Sequence, residues 1–250
     1  MKTIVNNIAL EYMDEGQGPV LFFMHGWQDN LSTFEAIKNQ LVAKYRVIRL
    51  DLPGFGYSDT PVTAWNLDNY IDCVSAFLQK MEVSPRAIVS HSFGGRITIK
   101  GIAIGKIKTE KVVLIASAGL SKRFTIKNLA IKIISKVVGV ALRIPGISFW
   151  RDRVRNTFYK VIKSDYINAG ALQNIFLNII KEDLAKFAPQ LQNETLLIWG
   201  DKDTATPIAD GKRLAKLIPN SRLEILHGSS HFVHREKSEE VAKLILDFVC

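Results

Sequence analysis

Val20-Leu21-Phe22-Phe23-Met24 is a run of five apolar residues with no polar interruption, and further short, mostly apolar segments follow along the chain. Val47 to Leu50, Ala87 to Val89, Val112 to Ile115, Thr195 to Trp199 and Arg222 to Leu226 all read as short strands. Between them lie stretches of helical spacing. Ser32 to Tyr45 places Phe34, Ile37, Leu41 and Val42 on one side, and Leu67 to Met81 does the same with Ile71, Val74, Phe77, Leu78 and Met81. Gly94 to Ile104, Ile208 to Leu217 and Glu239 to Val249 read as further helices. A strand apolar on both faces belongs inside a sheet covered on both sides, and regular strand–helix alternation implies a mostly parallel one. At the start, Ile8 to Tyr12 alternates like a half-exposed strand, and Asn6-Asn7 suits a tight hairpin before it.

The alternation stops between Leu120 and Phe187. That stretch is basic and rich in Ile, Val and Leu, with Leu129, Ile133, Val137 and Val140 at helical spacing. We read residues 120–187 as a helical cap inserted into a core formed by 1–119 and 188–250. Charge separates the two parts. Residues 121–165 hold eleven lysines and arginines against Asp152 and Asp165, so this segment accounts for the whole formal charge of +9. A basic amphipathic helix can seek anionic surfaces, which makes peripheral membrane contact through the cap one expectation; a lysine face that keeps the cap solvated is the other. No aromatic-interleaved basic motif points to nucleic acid. Cys73 and Cys250 form no disulfide framework, and no local Cys/His spacing suggests zinc. Met1 to Asn7 carries no apolar signal region, and no uncharged stretch reaches the roughly 18–20 residues of a membrane span. The expectation is a cytoplasmic enzyme.

Four segments fall just past the ends of predicted strands, where open α/β sheets place their sites. Ser90-His91-Ser92-Phe93-Gly94-Gly95 lies between a strand and a helix, so Ser92 would ride on a sharp turn with small residues at either side. His25-Gly26-Trp27 follows Met24, and the N–H groups of Trp27 and Phe93 are the natural donors to a developing oxyanion. In Trp199-Gly200-Asp201-Lys202-Asp203, three acids compete to orient a histidine, Asp210 being the third. Asp203 is the choice, because Asp201 is placed to shape the turn and Asp210 falls in the next helix. His227-Gly228-Ser229-Ser230-His231 offers His231 in a loop of small residues, with His234 at the pocket edge. Taken singly, each segment could be an ordinary loop. Their joint placement and the order Ser, Asp, His favour a catalytic triad of Ser92, Asp203 and His231. His25, Gly26, His91 and His234 are expected to line the pocket.

These segments resemble the α/β-hydrolase superfamily, in its cap-domain branch of serine esterases and C–C bond hydrolases. His25-Gly26-Trp27 is similar to the family's oxyanion segment and Asp51-Leu52-Pro53-Gly54-Phe55-Gly56-Tyr57-Ser58-Asp59 to a loop typical of the branch. Trp199-Gly200-x-x-Asp203-x-x-x-Pro207 and the His231 region are similar to its acid and histidine segments. Ser90 stands where the family usually has glycine, and Ser238 where proline is common. The resemblance implies an α/β-hydrolase fold, an acyl-enzyme mechanism without metal or organic cofactor, and a small-molecule ester or carbonyl substrate. Serine at the elbow sets the chain apart from relatives with aspartate there. Three functions follow as expectations: a carboxylic ester hydrolase, a C–C bond hydrolase of meta-cleavage type, or a non-catalytic ligand-binding relative. Haloperoxidase-like turnover would be a side reaction.

Overall fold

The computed structural model describes residues 1–121 and 172–250. Two compact units divide the chain, one made of Met1–Leu120 with Asn178–Cys250 and the other of Ser121–Leu177. The basic amphipathic stretch read as the cap lies almost wholly outside the described residues. At its C-terminal end, residues 178–187 belong to the first unit. Arg96 holds them there, donating from Nη2 to the carbonyls of Ile179 and Glu182 at 2.6 Å each.

The first unit is built on eight strands: β1 (Lys2–Val5), β2 (Ile8–Glu15), β3 (Val20–Met24), β4 (Arg46–Leu50), β5 (Ala87–His91), β6 (Lys111–Ile115), β7 (Glu194–Gly200) and β8 (Ser221–Leu226). Their order is β1-β2-β4-β3-β5-β6-β7-β8. The first two strands pair antiparallel, as do β2 and β4, and every pairing from β4 through β8 is parallel. Asn6 and Asn7 make the opening hairpin turn with φ of 50° and 63°. Two consecutive positive φ values match the right-handed twist of the strands they join, and asparagine tolerates them.

Strand alternation sorts the apolar runs between two layers. Leu21, Phe23, Val47, Val89 and Ile198 face α1 (Glu35–Leu41) and the last helix, Ser238–Val249, through Ile37, Leu41, Val241 and Ile245. Phe22, between Leu21 and Phe23, turns to the other side and stacks on Phe77 of α2 (Leu67–Lys80) at 5.8 Å between ring centroids. This side is completed by α3 (Phe93–Ala103), which follows β5. An Asn66–Asn69 capping box starts α2, each side chain accepting from the other's backbone N–H.

Strand order reverses around β3, which has β4 on one side and β5 on the other. Parallel neighbours leave in opposite directions at such a point and open a crevice beyond their C-terminal ends. The segments that begin at His25 and at Ser92 both sit on that edge. Phe77 tests the packing beneath it. The ring is fully buried against Phe22 and Tyr12. Phe77→Ala should cost about 3–5 kcal/mol of unfolding free energy, read from urea denaturation by circular dichroism.

Candidate active site

Ser92 has φ 46° and ψ −104°, a backbone conformation rarely occupied by residues other than glycine. Three backbone bonds hold it. Its N–H donates to Ile115 O at 3.0 Å, and its carbonyl accepts from Gly95 N at 3.0 Å and Ala118 N at 3.1 Å. The turn also presses the start of α3 onto β3. A Cβ at position 94 would stand 2.6 Å from Met24 O, so only glycine fits there. Ser90 is fully buried, and its hydroxyl accepts from Thr98 Oγ1 at 3.0 Å. Serine in place of glycine is thus absorbed by a hydrogen-bonded partner in α3.

Phe93 is the first residue of α3, and the amides of a helix's first turn have no acceptor within the helix. Trp27 follows β3, with its indole edge-on to the Phe93 ring at 5.5 Å.

Asp203 lies past the end of β7 with its carboxylate buried. Oδ1 accepts from the N–H groups of Ala205 and Thr206 at 2.8 and 2.9 Å. Oδ2 lies 2.8 Å from His231 Nδ1 and 2.8 Å from the Thr206 hydroxyl. Four groups thus surround a carboxylate that has no access to water, and they fix its direction. The His231 loop can approach because residue 200 is glycine: a Cβ there would lie 2.3 Å from Ser229 O. His91 Nε2 donates to the carbonyl of His231 at 3.0 Å, and the two rings stand 4.8 Å apart. That bond sets the His231 loop beside the Ser92 turn. The competing acids take other places. Asp201 accepts from Gly228 N at 2.7 Å and lies 3.1 Å from His227 Nδ1, so it shapes the turn, and Asp210 falls in the first turn of the helix Ile208–Leu217.

The pocket expectation is corrected for three histidines. His25 is fully buried, with Nδ1 at 2.7 Å from Gly26 O and Nε2 accepting from Leu52 N at 2.9 Å. No ring nitrogen is left for a substrate. His25 instead ties the end of β3 to the loop after β4. His91 and His234 are also buried, their rings 4.2 Å apart. His91, next to Ser92, and His234, three residues after His231, look like lining residues in one dimension, but strand alternation turns the first inward and a short helical turn carries the second in after it. Sequence reasoning missed Thr206, the neighbour of both Asp203 and His231, and it missed Asp29, Thr33 and Arg235. Arg235 donates to Thr33 Oγ1 at 2.7 Å and to Asp29 Oδ1.

The model of the alpha/beta hydrolase family matches residues 21–244. The chain belongs to the alpha/beta hydrolase family. Among relatives, it is 27% identical over 259 residues to the uncharacterized hydrolase YugF of Bacillus subtilis (strain 168), covering 97% of this chain and 94% of that protein. The esterase EaEST from Exiguobacterium antarcticum shares its fold at a TM-score of 0.76 and 22% identity, covering 100% of this chain and 99% of that one. A meta-cleavage product hydrolase from Pseudomonas fluorescens IP01 does so at 0.75 and 20%, with coverage of 99% and 96%. Membership supports a hydrolase acting on a small molecule. Among the described residues of this α/β hydrolase, no helix is long and apolar enough to cross a membrane.

Burial keeps the imidazoles of His25 and His91 below the usual histidine range and lowers His234 to about 3. The unfolded chain protonates all three near pH 6.5, so below that value it binds protons the folded chain refuses. Stability should be level above about pH 7 and fall as the pH drops through about 6.5. Each histidine contributes about 1.4 kcal/mol per pH unit to the slope. Urea titrations between pH 7.5 and 5 should show this decline, and His234→Gln should flatten it by one histidine's share. An unchanged slope would mean that His234 titrates alike in both states.

Proposed function

We propose that this α/β hydrolase cleaves carboxylic esters through a Ser92–His231–Asp203 triad. The observation that carries the reading is the 2.8 Å contact between His231 Nδ1 and the buried Asp203 carboxylate, beside a nucleophile turn held at positive φ. A carboxylate on Nδ1 keeps that proton in place and leaves Nε2 as the base. Ser92 Oγ attacks the ester carbonyl carbon as Nε2 takes the hydroxyl proton. The carbonyl oxygen becomes an oxyanion, received by the N–H groups of Phe93 and Trp27. The tetrahedral adduct collapses, the C–O bond breaks and the imidazolium hands its proton to the departing alcohol. Water then attacks the acyl-serine with the same base and releases the acid.

An elbow with serine at its apex, an acid and histidine locked together, and esterases among the structural neighbours all support this reading. Peripheral attachment through the basic cap belongs to the same proposal as an expectation of its sequence.

A fluorophosphonate probe should label the wild type and fail to label Ser92→Ala. Turnover of p-nitrophenyl acetate and butyrate should vanish in Ser92→Ala and fall by about 10²–10⁴-fold in Asp203→Asn, which supplies the wrong hydrogen-bonding partner to Nδ1. Wild type that neither labels nor turns over would overturn the triad. Wild type that labels but leaves the esters untouched would overturn the ester assignment and point to the C–C bond hydrolase.

A further inference from the structure

Next to the Ser92 turn, three buried residues from distant parts of the chain meet: Asp29, His91 and His234. One ligand atom from each lies within 4.8 Å of the others. Asp29 is 9% exposed, His91 1% and His234 0%. Among the described residues, Asp29 Oδ2, His91 Nδ1 and His234 Nδ1 are buried polar atoms without a hydrogen-bond partner. Buried polar atoms in folded proteins are nearly always satisfied, so three orphans facing one point need an occupant.

We propose that Asp29, His91 and His234 form a binding site for a divalent first-row transition metal of the zinc class. Two imidazole nitrogens and one carboxylate oxygen are the donors such ions take, whereas calcium and magnesium prefer all-oxygen shells. The far side of each ligand is held as metal ligands usually are. His91 Nε2 donates to the backbone carbonyl of His231 at 3.0 Å, which leaves Nδ1 a bare lone pair. His234 Nε2 stands 2.8 Å from Thr33 Oγ1, and Asp29 Oδ1 receives Arg235. When Nε2 carries the His234 proton and donates it to Thr33 Oγ1, three acceptors converge with no proton between them, and a cation satisfies all three. Bonds of about 2.0–2.2 Å need donor spacings of about 3.3 Å, so the ligands draw inward on binding.

The site takes no part in the ester chemistry, and its test does not depend on that reading. Chelator-stripped protein should be titrated with cobalt(II), followed by its visible absorption, and with zinc(II), followed by calorimetry and thermal melting. The expected result is one saturable equivalent and a raised Tm for wild type. Asp29→Asn and His234→Gln should weaken binding by about 100-fold or more while keeping native circular dichroism. His227→Ala removes an exposed histidine and should leave binding unchanged. No saturable binding by wild type overturns the site, as does binding lost in His227→Ala but kept in the other two variants. Zinc-edge diffraction from wild-type crystals grown with zinc covers the case in which both buried variants misfold. Anomalous density among the three residues supports the site, and a water there without anomalous signal overturns it.

Discussion

The turn at Ser92 is the constraint around which the rest of the edge is arranged. Its φ of 46° costs on the order of 1–3 kcal/mol and persists only where surroundings over-determine it. Here they do. β6 supplies Ile115 O, the strand's continuation supplies Ala118 N, and α3 closes from above with Gly95 N. Two of the partners come from β6 and the segment that continues it, and the third from α3. A change that loosens β6 or lifts α3 therefore acts on Ser92 without touching it. Gly94 shows the reverse dependence, because β3 can pass under α3 only while position 94 lacks a side chain.

A second constraint is dryness. The side chains of Asp203, His25, His91 and His234 are all buried, and the carboxylate and the imidazoles meet burial differently. Two amides, a hydroxyl and an imidazole point at the Asp203 carboxylate, a set that replaces the water it has lost. The histidines meet burial by giving up charge instead. His231 is the exception in kind, with a side chain 16% exposed. In the proposed triad, the one imidazole that cycles between neutral and charged forms is partly exposed, while the other three are buried.

Much of this was legible in the residues. Val20 to Met24 and Ile208 to Leu217 are the observed elements, and Asn6-Asn7 is the observed turn. Such signals are local, carried by hydrophobic period and by turn chemistry. The differences have local causes as well. Ser32 to Tyr45 reads as one helix, yet Asn30 accepts from Ser32 N and draws the first turn into a 3-10 helix over Leu31–Phe34, with α1 beginning only at Glu35. The second strand looks finished at Tyr12, because Asp14 and Glu15 are poor strand formers. It continues to Glu15 because Arg46 pairs with Asp14 and Arg49 with Glu15 across the sheet. Those partners are more than thirty residues away, and no window along the chain contains both.

The candidate site divides along the same line. Ser92, Asp203 and His231 each sit in a segment whose glycines and flanking strand mark it, so a sequence can nominate them one at a time. The contact between His231 and Asp203 is a property of β7 and β8 lying side by side, which the strand order supplies. Thr206 escaped notice because a threonine carries no chemical signature until a carboxylate and an imidazole are found on either side of it. Asp29, His91 and His234 are harder still. Local ligand spacing is what reveals a metal site in a sequence, and here the interval from first to last exceeds two hundred residues. They are neighbours only because β3 and β5 are adjacent in the sheet and the segment after β8 returns to the same edge. Sequence reading therefore places these two histidines beside the substrate. Packing buries both rings instead, each with an Nδ1 that meets no partner among the described residues.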